Sequence, residues 1–184
     1  MKKIIGKAVL NVLGWKSNYP KEFQVEKFVI IAAPHTSNWD LVFALAVFWK
    51  MDKPMKYFIK DSFTKPPHGW FFKMMGAIGV DRKKTGNLVH HAAATITKEK
   101  HIALMVPAEG TRTKVKKWKT GFYHIAKKAN VPVALGYLDY KNKIAGVGGL
   151  VYLTDSFEND MQIIEDFYKN IDGKHPEKYN KKIF

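Results

Sequence analysis

Residues 28–40 read FVIIAAPHTSNWD, an apolar run followed by a polar turn. The short β-branched run over 28–32 predicts a buried strand, which Pro34 closes. Residues 38–50 predict a helix that begins directly after the turn. A strand that leads at once into a helix is the unit from which parallel sheets are built.

The same alternation continues along the rest of the chain. Further strands are predicted over 55–59, 78–80, 102–106 and 131–137. Further helices are predicted over 69–75, 86–99, 119–129 and 157–171. A pair of strands is predicted over 143–153, around Gly146, Gly148 and Gly149. The fold class is therefore α/β, a single domain with a mostly parallel central sheet flanked by helices.

The amino-acid composition excludes some classes of protein but does not identify the function. Hydrophobic residues make up 46% of the 184, too many for a disordered polyelectrolyte and enough to bury a core. The absence of cysteine excludes disulfide scaffolds, thiol nucleophiles and cysteine-ligated metal centres. The net charge of +15 predicts an anionic partner, which can be a nucleic acid, an anionic membrane surface or a phosphorylated substrate.

The first 20 residues predict an amphipathic segment in front of a main domain over 21–184. One broad apolar face is shared by Ile4, Ile5, Ala8, Val9, Val12 and Trp15. Lys3, Lys7 and Asn11 lie on the opposite face, and Leu10 falls outside the apolar stripe. Such a helix can lie in a membrane interface or pack on its own domain, and the sequence leaves both open.

His35 and Asp40 are the first candidate pair for chemistry. They lie in a turn between a strand and a helix, where open α/β sheets bind their ligands. Histidine suits general-base work because its unperturbed pKa of about 6.5 is close to working pH. Asp40 could accept the Nδ1 proton of His35 and hold one tautomer. The alternative, which spacing alone favours, is that Ser37 or Asn38 caps the helix and Asp40 stabilises its first turn.

Two further turns carry polar residues after predicted strands. In the turn over 107–112, a glycine lets backbone N–H groups approach an anion, and Arg112 offers a planar fork for phosphate. Glu109 could orient Arg112, although an ordinary surface turn would read the same. The turn over 76–82 ends in Asp81 and Arg82, and alone it indicates little.

In this order and spacing, the three turns resemble the glycerophosphate/lysophosphatidate acyltransferase family, whose members acylate glycerolipids and related alcohols. The family's His-x4-Asp block is matched by His35 and Asp40. Its glycine-to-arginine block is matched over 76–82, its Glu-Gly-Thr-Arg block over 109–112, and its Val-Pro-hydrophobic strand over 131–133. The second proline that usually follows in the last block is missing here.

The resemblance implies an acyltransferase that moves a fatty acyl group from a thioester to a lipid hydroxyl. His35 would be the general base and Asp40 its partner. The acceptor's phosphate or polar head group would be bound by Arg82, Glu109, Gly110, Thr111 and Arg112. An apolar groove for the acyl chain would draw on Phe43, Trp70, Phe71, Phe72, Met74 and Met75.

The same resemblance gives the expected partners. The donor would be acyl-CoA or acyl-carrier protein, with no permanently bound cofactor and no metal. The acceptor would be a lysolipid or a related lipid alcohol. The enzyme would be cytoplasmic and peripheral on the inner face of the cell membrane, attracted by anionic lipids.

The basic stretch over 112–128 supports an alternative from another class. Its lysines are interleaved with Trp118, Phe122 and Tyr123, a pattern that also occurs in nucleic-acid-binding modules. No recognition motif accompanies the pattern, so nucleic acid is not expected as a partner of the acyltransferase.

Overall fold

The computed structural model describes residues 1–20, 23–81 and 86–184. In these ranges the strands are β1 (Lys16–Asn18), β2 (Lys27–Ala33), β3 (Met55–Lys60), β4 (Ala77–Val80), β5 (Ile102–Pro107), β6 (Val133–Asp139) and β7 (Ile144–Val151). The α-helices are α1 (Lys2–Val12), α2 (Trp39–Lys50), α3 (Gly69–Met74), α4 (Leu88–Lys98), α5 (Gly121–Ala129) and α6 (Phe157–Tyr168). Short 3-10 turns lie at Asp61–Thr64 and Pro176–Lys178.

The described strands form one sheet in the order β1-β7-β6-β2-β5-β3-β4. β2 lies at its centre and pairs in parallel with both β5 and β6, so that Ile30 stands between Met105 and Ala134. β3 pairs in parallel with β5 and β4, and β7 is antiparallel to β6. The predicted α/β class with a mostly parallel sheet is confirmed. The carboxyl ends of β6, β2 and β5 consequently meet at one edge.

Helices cover both faces of the sheet, and the apolar side chains of β2 alternate between these two faces. Val29 and Ile31 join the core under α4, α5 and α6, whereas Phe28 and Ile30 join the core under α2. Successive side chains of a strand point to opposite faces, so an uninterrupted apolar run suits a strand that is buried on both. Each of these four side chains stabilises the fold by roughly 1.5–3 kcal/mol.

The prediction of two strands over 143–153 is wrong, because β7 is one strand and its hairpin partner is β6. The hairpin turn lies earlier, where Lys143 adopts a positive φ of 52°. The glycines of β7 serve close packing instead. A Cβ on Gly146 would overlap the backbone of Asn18 in β1, and one on Gly148 would overlap the ring of Phe167. The three-residue edge strand β1 was not predicted.

Helix α1 packs on α2 through the face that its apolar pattern does not favour. Leu10, predicted to lie outside the stripe, is 1% exposed. Gly6 is also buried, and it packs so closely on α2 that a Cβ there would overlap the carbonyl of Ala46. Ile4 and Val12, which belong to the stripe, are 73% and 84% exposed. The helix thus packs on its own domain and also leaves most of its apolar face uncovered.

Within the described ranges, no helix is both long enough and apolar enough to cross a bilayer. The proposed boundary between residues 20 and 21 borders on a pair of residues outside those ranges and stays a prediction.

Candidate active site

Three loops converge at the carboxyl edge of the sheet. The loop after β2 carries His35 and leads to Asp40 in the first turn of α2. The loop after β5 carries Glu109, and the hairpin after β6 begins with Tyr140. Since β6, β2 and β5 are neighbours, these side chains meet although they are far apart in the sequence.

His35 and Asp40 are in contact through their side chains. Nδ1 of His35 lies 3.1 Å from Oδ2 of Asp40, whose side chain is buried. The same oxygen accepts the backbone N–H groups of Thr36 and Ser37, each at 2.9 Å. Asp40 therefore fastens the loop to the helix and holds the imidazole at once, which is compatible with both a structural and a functional role of this carboxylate.

The hydroxyl of Ser37 takes part in the start of the helix. It accepts the N–H of Trp39 at 3.2 Å, while the side chain of Asn38, at the N-cap position, makes no capping hydrogen bond. The other ring nitrogen of His35, Nε2, is not used by Asp40. Across residues 1–20, 23–81 and 86–184, no group forms a hydrogen bond with that nitrogen.

Tyr140 is a member of the site that the sequence motifs do not include. Its hydroxyl donates to Oδ1 of Asp40 at 2.7 Å. Burial, and then the bond to Asp40, raise the pKa of Tyr140, so the phenol keeps its proton and remains a donor. Its ring packs edge-on against Trp15 and Phe43, with centroids 4.8 and 5.8 Å away. The one sequence signal is its position directly after the strand next to β2.

Glu109 lies beneath the His35 loop, which corrects its expected role. Its carboxylate is 3% exposed and its oxygens lie 3.0 and 3.2 Å from the backbone N of His35. Burial raises the pKa of Glu109 to about 7, and the hydrogen bonds from backbone N–H groups offset only part of that rise. Glu109 accepts the backbone N–H of His35 and, among the residues that the structure describes, forms no ion pair with Arg112, so it does not orient that arginine.

The remaining residues of that block lie at the surface. Gly110 has a positive φ of 66° and allows the turn, which its own N–H closes by donating to the carbonyl of Pro107 at 3.1 Å. Thr111 is half-buried and Arg112 is exposed. Arg112 forms no hydrogen bond or ion pair with any residue that the structure describes. Arg82 lies outside the described residues.

An apolar cavity begins at His35 and Asp40 and runs between α2 and the sheet. Along its length it is lined by Ala44, Val47 and Phe48 of α2, and by Ile30, Met105 and Leu138 from three strands. None of the six residues expected to form an aromatic and methionine-rich groove lines this cavity, but Met74 and Met75 line a second pocket beside the end of α2, so that expectation stays a prediction. Phe43 points instead toward Trp15, and Trp70 and Met74 on α3 are exposed.

The C-terminal segment holds the His35 loop from the other side. The backbone N–H of His175 donates to the hydroxyl of Thr36 at 3.2 Å, and Thr36 is buried. Gly173 lies so close to Pro34 and Thr36 that a Cβ would come within 3.0 Å of them. No sequence pattern signals this support. In the part of the chain that the structure describes, no cluster of three His, Asp or Glu side chains could hold a metal ion.

A mostly parallel sheet with a His–Asp pair at its carboxyl edge, next to an apolar cavity, is an arrangement typical of α/β enzymes. The model of the protein family described as Acyltransferase matches residues 16–134, which are 119 of the 184. The chain belongs to that acyltransferase family.

A solved structure has a similar fold. The crystal structure of the 1-acyl-sn-glycerophosphate (LPA) acyltransferase PlsC from Thermotoga maritima matches with a TM-score of 0.62 and 18% identity, over 90% of this chain and 74% of that one. Comparison with curated proteins finds no match. The nucleic-acid alternative loses its stacking surface, because Trp118, Phe122 and Tyr123 are buried in the core.

Proposed function

We propose that this enzyme transfers a fatty acyl group from an acyl thioester to the hydroxyl of a lysophospholipid of the 1-acylglycerol phosphate class. One observation carries the proposal. Asp40 holds Nδ1 of His35, Nε2 is left without a partner among the described residues, and the apolar cavity begins beside it. The family supports acyl transfer, and the fold matches that of an enzyme named for this acceptor class.

In the proposed reaction, His35 acts as the general base. The ionised Asp40 accepts the Nδ1 proton, which assigns the tautomer with Nε2 free to accept. Nε2 takes the proton of the acceptor hydroxyl while the oxygen of that hydroxyl attacks the thioester carbonyl carbon. The tetrahedral intermediate then expels the thiolate, which receives the same proton from the imidazolium. Proton transfer by a positioned side chain contributes about 10²–10⁴-fold to such a rate.

The surroundings of Asp40 suit this role. Three donors other than His35 reach its oxygens: two backbone N–H groups and the hydroxyl of Tyr140. These bonds fix the carboxylate beside the ring, so Asp40 is positioned to stabilise the imidazolium. Tyr140 is a positioning residue in this scheme, because it touches Asp40 and not the reacting atoms.

The two ends of the substrates can be assigned to different parts of the site. The acyl chain of the donor would enter the cavity under α2, whose walls are aliphatic and aromatic. The phosphate of the acceptor would bind at the rim, to Arg112 and Arg82 and to the turn of Gly110 and Thr111. The exposed Arg112 has its guanidinium free of carboxylates in the described residues, as a phosphate site requires.

The donor is proposed to be acyl-CoA or acyl-carrier protein. Both are anionic, and the basic stretch over 112–128 borders the rim without an acidic residue in it. The protein supplies no permanently bound cofactor in this scheme.

We further propose that the enzyme works at the inner face of the membrane. Ile4, Ile5 and Val12 present an apolar face to solvent, with Lys3 and Lys7 beside it. The apolar patch extends to Trp70 and Met74 of α3, which are also exposed. The two helices are connected by the side chain of Lys2, which donates a hydrogen bond to the carbonyl of Met74 at 3.0 Å. Basic amphipathic helices with an uncovered apolar face bind anionic bilayers in this way.

A direct assay tests the acyl transfer. Purified enzyme would be given lysophosphatidate with acyl-CoA or with acyl-carrier protein, and the product followed by mass spectrometry. His35→Ala should lower kcat by about 10²–10⁴-fold. His101→Ala, a change of an exposed histidine at the other end of the sheet, is the matched control. Near wild-type turnover by a folded His35→Ala enzyme would refute the proposed mechanism.

A further inference from the structure

A cleft separate from the acyl cavity opens on the other side of Asp40. Four chain segments build it: the α1–β1 turn with Leu13, the first turn of α2 with Trp39, the β6–β7 hairpin with Lys143, and the C-terminal segment with Lys174. We call it the lysine cleft. Among the described residues assigned to the proposed reaction, Tyr140 alone lines it.

The floor of the lysine cleft is aromatic and rigid. Trp15 stacks on Phe43 with centroids 3.9 Å apart and an interplanar angle of 25°, and both are buried. Tyr140 meets them edge-on. Trp39 forms a wall and is 49% exposed, which is unusual for a large aromatic side chain with so much apolar surface to bury.

Two cations stand at the rim, and neither is neutralised. Lys174 places its Nζ 5.7 Å from the ring centre of Trp39. Lys143 extends over the α1–β1 turn, near Gly14, and its carbonyl accepts the N–H of Lys16 at 2.8 Å, which fixes the hairpin. Neither lysine forms an ion pair with a carboxylate of the described residues.

The acidic groups of the same segments are occupied elsewhere. Asp172 pairs with Lys181 at 3.0 Å, and Asp139 accepts two hydrogen bonds from Asn142. The positive charge at the rim is therefore available to a ligand. A flat apolar floor under two unpaired cations is complementary to an anionic group carried on an apolar molecule.

The open side of the cleft continues into the uncovered apolar face of α1. Leu13 lines the cleft and follows Val12, which belongs to that face, and the exposed Val42 lies one helical turn after Trp39. A soluble phosphate would leave these apolar side chains in water, whereas a lipid would cover them. The arrangement accordingly favours a ligand at the membrane surface.

We infer that the lysine cleft binds the phosphate of an anionic phospholipid in the bilayer. Lys143 and Lys174 hold the phosphate, and the glycerol end of the lipid lies against Leu13 and Trp39. The inference rests on the membrane docking in the proposed function and is independent of the His35 reaction. The bound lipid anchors the enzyme at the edge of the sheet where the candidate base lies.

Vesicle co-sedimentation tests the site. The variant Lys143→Gln/Lys174→Gln would be compared with wild type on phosphatidylcholine vesicles with and without phosphatidylglycerol. A lysine at an anionic surface contributes roughly fivefold to binding, so the double variant should bind phosphatidylglycerol vesicles about 10–30-fold more weakly. Lys98→Gln/Lys100→Gln, which removes the same charge from two exposed lysines at the end of α4 on the opposite face, should bind within about twofold of wild type.

Three further arms separate the sources of the effect. With oleate in place of phosphatidylglycerol the double variant should lose less, because a phosphate site is not needed there; an equal loss would leave only general charge attraction and overturn the site. Release of the wild-type enzyme from vesicles by glycerol phosphate would identify a soluble ligand instead. A raised KM for acyl-CoA in detergent micelles, with unchanged vesicle binding, would assign the cleft to the donor.

Binding by His35→Ala should equal that of wild type, so a failed mechanism and a failed lipid site give different results.

Discussion

The substitution Glu109→Gln examines the buried carboxylate beneath the His35 loop. Glutamine keeps the shape of the side chain and an oxygen that can accept the N–H of His35, but it removes the ionisable group. Burial raises the pKa of Glu109 from its ordinary value of 4.5 to about 7, so between those values the folded chain keeps a proton that the unfolded chain loses.

The sign and size of the effect follow from this difference. Below pH 4.5 both states are protonated, and above pH 7 both are ionised, so stability depends on Glu109 only between those two values. In that window the folded state binds more protons, and the free energy of unfolding falls as the pH rises. At about 1.4 kcal/mol for each pH unit, wild type should lose about 3 kcal/mol relative to Glu109→Gln.

Urea unfolding followed by tryptophan fluorescence, at several pH values from 4.5 to 7.5, measures the difference directly. Comparing wild type with the variant cancels the other titrating groups, and Glu99→Gln at the exposed end of α4 controls for the loss of a carboxylate. If the two stability curves ran parallel to within 1 kcal/mol, on the order of the error of such extrapolations, the assignment of a burial-raised pKa would be wrong.

Other substitutions separate packing from chemistry. Tyr140→Phe removes one hydrogen bond to Asp40 and should lower kcat by roughly 10-fold or more while KM stays unchanged. The size follows from about 1.5–3 kcal/mol for a hydrogen bond to a charged group. A raised KM at unchanged kcat would contradict a positioning role. Leu10→Ala should cost about 2–5 kcal/mol in urea unfolding because Leu10 is fully buried between α1 and α2. Val12→Ser should change that stability by less than about 0.5 kcal/mol and should weaken binding to anionic vesicles, which sedimentation would show.

Local patterns predicted most of the fold and the central pair. The strand, turn and helix over 28–50 lie within one stretch, so the family resemblance was enough to place His35 and Asp40 together, although their spacing alone favoured a capping role. The strands of the parallel part were predictable because each is a short apolar run between turn residues. β7 was mispredicted because glycine allows both a turn and close packing, and the neighbours that decide between them are distant in the sequence.

The rest of the site depends on contacts that no local pattern contains. Tyr140 reaches Asp40 across 100 positions of the chain, and Thr36 is held by His175 across 139. Glu109 was recognised as a site residue, but its burial under His35 depends on β2 and β5 being neighbours. Likewise, the amphipathic pattern of α1 could not predict that Gly6 would let the opposite face pack on α2.

The antiparallel pairing of β6 and β7 has a consequence for how much change the site can accept. Parallel strands need a long crossover connection, whereas β6 and β7 are joined by a turn of four residues that begins with Tyr140. The pairing of Asp139 with Ile144 closes this turn. The phenol is thereby attached to the sheet itself, and its backbone N–H is tied to Asp172 at 3.0 Å. An inserted residue here would misplace the hydroxyl and the neighbouring Lys143 together. The hairpin is thus a poor place for tags, permuted termini or loop extensions, and an engineer would leave its length unchanged.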